Sequence, residues 1–65
     1  MKLSNEEAFK AMIDFLEKYY KRTNSEDIAC LLSDITLTGK EETADPAAWH
    51  DWVNSINKIL HTRKT

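Results

Sequence analysis

The sequence predicts an all-α fold, a small three-helix bundle with a single core. Two serine-led capping motifs and one Asp-Pro pair each precede a run of residues with helical spacing. The 65 residues include one glycine and one proline, so few positions interrupt regular structure. With 42% hydrophobic residues and this length, the chain should form one packed domain over residues 1–65.

The first helix is predicted at about residues 5–22. Ser4 is followed three positions later by Glu7, which is the pattern of a capping box that satisfies the first free amides of a helix. The apolar side chains after it fill one broad arc of the helical wheel. An arc that wide should contact both other helices.

The second helix is predicted at about residues 25–35, where Ser25 precedes the acidic pair Glu26 and Asp27. Its apolar stripe is short, so this helix should depend on packing for its stability. The following residues, 36–44, are predicted to form an acidic, polar connecting loop with Leu37 as its one large apolar side chain.

The third helix is predicted at about residues 46–61 and has the heaviest apolar stripe in the chain. Asp45 is a favoured N-cap, and Pro46 has a preset φ at a position where no amide is needed. The predicted core takes residues from the facing arcs of all three helices, whereas Trp49 and Tyr20, at the edges of their arcs, are predicted to be exposed. The predicted core residues are Phe9, Met12, Phe15, Leu16, Tyr19, Ile28, Leu31, Leu32, Trp52, Val53, Ile56 and Ile59.

The net charge of −2 conceals an uneven distribution. Residues 1–23 carry +1 and residues 52–65 carry +3, whereas residues 24–51 carry −6. The basic residues are dispersed, which disfavours nucleic-acid binding because phosphate contacts need a clustered basic face. The acidic middle segment could steer a basic protein partner, or it could be a solvated surface. Its acidic residues are Glu26, Asp27, Asp34, Glu41, Glu42, Asp45 and Asp51.

Other patterns narrow the range of functions. His50 and His61 lie about 16 Å apart along one helix, too far for a shared metal site. Cys30 is the only cysteine, which excludes an internal disulfide and favours a reducing, cytoplasmic setting. No apolar run approaches the roughly 20 residues that span a bilayer. We find no catalytic motif and expect neither enzyme activity nor a cofactor.

Two stretches, YYKRTNSEDIACLL and DPAAWHDW, resemble short bacterial helical proteins, some of which are similar to immunity proteins of contact-dependent toxin systems. The likeness covers about residues 9–60. It implies only a bacterial, cytoplasmic, non-enzymatic binding protein. A basic toxin domain would be one protein partner that fits the acidic middle segment, because toxin nucleases often present basic clefts. The likeness implies no catalytic residue.

Two functions follow as hypotheses. In the first, the chain is an immunity-type or inhibitor-type protein that presents acidic side chains to a basic protein partner. Its contacts would be Asp34, Glu41 and Glu42, with Glu26 and Asp27 contributing. In the second, the chain is a structural interaction protein or homodimer that associates through an exposed apolar edge containing Trp49 and Tyr20.

Overall fold

The computed structural model describes residues 2–63, which form three helices and one small antiparallel sheet. All three predicted helices are confirmed, and their ends differ from the prediction by one or two residues, the usual spread of helix boundaries. In chain order the elements are α1 (Asn5–Thr23), α2 (Glu26–Ile35), β1 (Leu37–Gly39), β2 (Glu42–Thr43) and α3 (Pro46–Arg63).

Both serine caps are present in the structure. Ser4 Oγ accepts from the Glu7 amide at 3.1 Å, and the Glu7 carboxylate accepts from the Ser4 amide at 2.9 Å, which completes the capping box. The hydrogen bond from the Ser4 amide lowers the pKa of Glu7, and the Ser4 hydroxyl adds to the effect. Asn24, whose φ of 55° is left-handed, caps the C-terminal end of α1. Ser25 is the N-cap of α2, and its Oγ accepts from the Ile28 amide.

The connection between α2 and α3, predicted as an acidic, polar loop over residues 36–44, contains a β-hairpin that the sequence analysis did not include. Leu37 pairs with Thr43 and Gly39 pairs with Glu42, with a bulge between the two pairs. The two-residue turn lacks the Asn-Gly or Asp-Gly signal that reveals a hairpin in a sequence. The fold is therefore mostly α, and a plain three-helix bundle is not confirmed.

The residues that satisfy the free amides in the first turn of α3 are Asp45 and Thr43, which both precede the helix. Asp45 Oδ1 accepts from the Ala47 amide at 3.1 Å, and the Asp45 carbonyl accepts from the Ala48 amide at 2.9 Å. The hydroxyl of Thr43, a buried side chain, accepts from the Trp49 amide at 3.1 Å and donates to the Asp45 carbonyl. Thr43 therefore joins the hairpin to the start of α3.

The core is small and centres on Phe9, whose side chain is 1% exposed. Its ring meets the rings of Trp49 and Trp52 edge to face, with centroid distances of 5.2 and 5.1 Å. Ile35 at the end of α2 completes the buried cluster. Partly buried hydrophobic side chains surround it: Met12, Ile13, Leu16, Leu32, Leu37, Ala48, Trp52 and Val53.

The predicted core is confirmed around Phe9 and wrong further along the helices. Met12, Leu16, Leu32, Trp52 and Val53 pack against the core, and Ile28 and Ile56 are half-buried. The other four predicted core side chains are exposed: Phe15, Tyr19, Leu31 and Ile59.

The prediction of an exposed Trp49 is also wrong, because this side chain is 7% exposed. A helical wheel shows which residues share a face, but it does not show which length of that face has a neighbour. Helix α3 meets Phe9 through Trp49 and Trp52, near its N-terminal end. Ile59, two turns further on, is 62% exposed.

Two phenylalanines on α1 give a direct test of this core. We expect Phe9→Ala to lower the free energy of unfolding by about 3–5 kcal/mol, because it removes a buried ring and leaves a cavity. Phe15→Ala, at a side chain that is 62% exposed, should change it by less than about 1 kcal/mol. Urea unfolding followed by circular dichroism measures both, and equal losses would contradict the placement of the core.

The bridge made by Thr43 can be tested by removing its hydroxyl. Thr43→Val keeps the shape but leaves the Trp49 amide without its acceptor, so we expect a loss of about 1–3 kcal/mol. Thr43→Ser keeps the hydroxyl and should preserve the hydrogen bonds while losing only a methyl group. If urea unfolding shows the valine variant to be as stable as the parent chain, the hydroxyl does not hold α3.

The capping box predicts a pH dependence. The pKa of Glu7 is lowered in the folded chain, so its stabilising effect is present above the unfolded pKa and is lost as pH falls through the folded value. Ser4→Ala removes the hydroxyl but keeps the backbone amide, so it should raise the pKa of Glu7 only part of the way towards its ordinary range, as measured by NMR titration of the side-chain carboxyl. Ser4→Thr should leave it low, and an unchanged pKa in the alanine variant would contradict the assignment.

Candidate protein-binding surface

The acidic side chains of α2 lie on its exposed surface. Glu26 and Asp27 are in the first turn, where the positive end of the helix dipole favours them, and Asp34 is in the last turn. Asp27 and Asp34 are seven residues apart, which places them on one face about 10 Å apart along the axis. Asp27 and Asp34 therefore form an acidic stripe along α2, and Glu26 lies about a quarter turn around the helix from it.

The hairpin carries the other two predicted contact residues, Glu41 and Glu42, and both are exposed. Glu41 lies in the turn and lines an open cleft of about 460 Å³ against the first half of α3. The Glu42 carboxylate folds back over Gly39, with Oε2 3.5 Å from where a Cβ on that glycine would lie. The other side chains that line the cleft are those of Asn5, Trp49, His50, Val53 and Asn54.

The structure separates the five predicted contacts into two groups, the acidic side chains of α2 and the hairpin pair. Backbone hydrogen bonds hold the base of the hairpin against the end of α2, because Asp45 N donates to Asp34 O at 2.9 Å and Ala44 N donates to Thr36 O at 2.8 Å. Asp34 and Asp45 are therefore neighbours at this junction. Glu26 lies at the opposite end of α2.

The charge of this acidic surface is not neutralised within the described part of the chain. The ion pairs among residues 2–62 are Glu6–Lys10 at 3.8 Å and Asp14–Lys18 at 2.9 Å, both within α1. The hydrogen bond that Lys18 donates to the Asp14 carboxylate raises the pKa of Lys18, and the negative charge of Asp14 adds to the effect. No acidic side chain of α2 or the hairpin forms an ion pair with a described basic side chain, so their field extends into solvent.

Glu41 has an unfavourable backbone conformation. Its φ is 58°, in the left-handed region that glycine and asparagine occupy more readily. Gly39, two residues earlier, does not have a positive φ. The turn would therefore form more easily with another residue at position 41, so the glutamate is not explained by the folding of the hairpin.

The side chains with potential for other chemistry do not assemble into a site. His50 lines the cleft beside Glu41, whereas His61 Nδ1 lies 2.8 Å from the Asn57 carbonyl oxygen. Cys30 is exposed with a free thiol. In the part of the chain that the structure describes, no group of three or more His, Cys, Asp or Glu could hold a metal ion.

The apolar edge predicted for association is not where the sequence indicated. Trp49 is buried and Tyr20 is half-buried, so neither supplies an exposed contact surface. Other apolar side chains are exposed in their place: Leu3, Phe15, Tyr19, Leu31, Ile59 and Leu60.

The sequence did not reveal the cleft or the hydrogen bond between Trp52 and Asn5, a residue that lines it. The Trp52 indole Nε1 donates to Asn5 Oδ1, which links the first turn of α1 to α3 across 47 positions of sequence. Nothing in the local sequence around Asn5 signals a partner so distant.

Among residues 2–63, no helix is long and apolar enough to cross a membrane.

Comparison with known proteins identifies no relative. No protein-family model matches the chain, and neither the curated proteins nor the solved structures contain a significant match.

Proposed function

We propose that this chain is a small protein-binding module that uses its acidic surface against a basic protein partner. One observation carries the proposal: Glu26, Asp27, Asp34, Glu41 and Glu42 are all exposed, and none forms an ion pair with a described basic side chain. By contrast, two of the acidic side chains of α1 are paired with lysines one turn away. This difference supports the proposal that the negative charge of α2 and the hairpin is available to a binding partner.

Unpaired like charges repel one another, so this arrangement costs some stability in the isolated chain. A basic partner removes that repulsion and gains attraction over distances up to the Debye length, about 8 Å at physiological salt. Such surfaces mainly increase the association rate and the specificity. We therefore expect binding that weakens as the salt concentration rises.

Asp34, Glu41 and Glu42 are the main contacts in this proposal. Glu26 and Asp27 also interact with the N-terminal end of the α2 dipole, so part of their charge is used within the fold. Glu41 is the strongest single candidate, since its left-handed φ disfavours a glutamate and its carboxylate forms no ion pair with a described basic side chain.

The partner we propose is a toxin domain with a basic cleft, and the role is that of an immunity-type inhibitor in the cytoplasm. The basis for this finer step is the resemblance noted above for the segments around residues 19–32 and 45–52. We also propose that the three helices act as one single-core bundle, on which the hairpin is held rigidly by Thr43. A rigid hairpin lowers the entropy lost on binding.

The test neutralises the main contacts. The triple variant Asp34→Asn, Glu41→Gln, Glu42→Gln should bind more weakly to a candidate partner, a basic toxin domain sought among the products of neighbouring genes, and its affinity should fall less steeply with salt. Isothermal titration calorimetry at low and high salt measures both quantities.

A matched control removes three negative charges from α1 with the variant Glu6→Gln, Asp14→Asn, Glu17→Gln. This variant has the same net charge as the first, so a specific acidic surface predicts that it binds nearly as well as the parent chain. If the two triple variants weaken binding equally, the affinity depends on overall charge and not on a specific acidic surface. Unchanged affinity and salt dependence in the first variant, with its circular dichroism intact, would refute the proposed contacts.

A further inference from the structure

Helix α3 has a second face that the fold leaves largely uncovered. Residues of this face recur at intervals of three and four, the spacing of one helical stripe. Its first half borders an apolar groove of about 190 Å³ between α1, α2 and α3. Its second half, containing Lys58 and Ile59, is exposed. The stripe consists of Ala48, Asp51, Trp52, Ser55, Lys58 and Ile59.

The groove is apolar and still accessible. Met12 and Leu16 of α1 form one wall, and Leu31 of α2, which is 40% exposed, forms another. Phe15, also exposed, follows Met12 by three residues and so lies beside the groove on α1. An aliphatic side chain from another molecule would find apolar contacts on several sides.

The chain exposes more surface than a compact monomer of its length, enough to include an interface. The chain exposes 5335 Å², whereas a folded monomer of this length exposes about 4,200 Å². The radius of gyration is 13.0 Å, against about 11 Å for a compact chain of this length. The excess of roughly 1,100 Å² exceeds the about 800 Å² that each partner buries in a standard protein interface.

The stripe is complementary to itself when a second copy runs antiparallel. Ser55, a small residue, stands at its centre, and close approach of two helices is easiest where side chains are small. Trp52 lies three residues before Ser55 and Lys58 lies three residues after it. A two-fold axis at Ser55 therefore places Trp52 of one copy opposite Lys58 of the other.

The same axis places Asp51 opposite Ile59, because these residues lie four positions before and after Ser55. Each Asp51 then lies next to a Lys58 of opposite charge, and each Ile59 faces the Trp52 edge of the groove. Antiparallel helix dipoles also attract. Apolar, steric and charge complementarity thus agree on one arrangement.

We infer that two copies of this chain associate through α3 in an antiparallel, two-fold symmetric homodimer in which Ile59 of each copy enters the groove of the other. The interface has the isologous form that is commonest among homo-oligomers. It does not include Asp34, Glu41 or Glu42, so it is independent of the proposed acidic binding surface.

Sedimentation equilibrium over a series from micromolar to near-millimolar concentration should show a reversible monomer–dimer equilibrium. Ile59→Glu should raise the dimer dissociation constant by at least about tenfold, because it places a charge in the apolar groove. Asn57→Glu adds the same charge on the opposite face of α3 and should leave the constant unchanged. If the chain is monomeric at every concentration, the inference is wrong.

Charge reversal gives a second test that does not depend on the groove. Asp51→Lys and Lys58→Asp should each weaken self-association, since each homodimer then contains two like-charge contacts. An equimolar mixture of the two variants should recover association, because every contact in the heterodimer again joins opposite charges. A mixture that stays as monomeric as its components, or dimers that are insensitive to both reversals, would show that α3 does not form the interface.

Discussion

The edge-to-face packing of Phe9 against Trp49 and Trp52 is the contact on which the remaining structure depends. It ties the first half of α1 to the first half of α3, and the hydrogen bond from Trp52 to Asn5 holds the two helices at that position. Helix α2 reaches the same cluster through Ile35 at its end. Three elements thus converge on one aromatic contact, because no other segment of so short a chain offers comparable apolar area.

A core this small leaves much apolar surface outside it. Phe15, Leu31 and Ile59 have the spacing of core residues but lie where the helices have no neighbour. Domains of this size bury only about 60% of their unfolded surface and are stabilised marginally by their own cores. An interface between two copies would stabilise the folded chain by mass action and would cover the side chains that the single chain cannot bury.

The charges follow a similar division between α1 and the rest of the chain. Lys10 and Lys18 satisfy acidic side chains within α1, whereas the α2 stripe and the hairpin keep their negative charge unpaired among the described residues. The hairpin also contains Glu41, whose left-handed φ of 58° is unfavourable for a glutamate. Conformational strain and unsatisfied charge coincide at one turn, and that turn is fastened to α3 by the hydroxyl of Thr43. A charged projection that is fastened to α3 in this way is suited to contact with a partner.

The sequence by itself determined where the helices begin, because those signals are local. Ser4 with Glu7, Ser25, and Asp45 with Pro46 act on amides within three or four residues, so no distant part of the chain can override them easily. The exposure of the acidic residues was equally predictable, since unpaired carboxylates are rarely buried. Only the tertiary structure decided that Trp49 is buried and Ile59 exposed, because that depends on where α1 crosses α3. It also decided the hairpin, in which Leu37 pairs with Thr43. That pairing is held by a hydrogen bond between Thr43 and α3 and by one from Ala44 to Thr36, and no turn signal in the sequence reveals them.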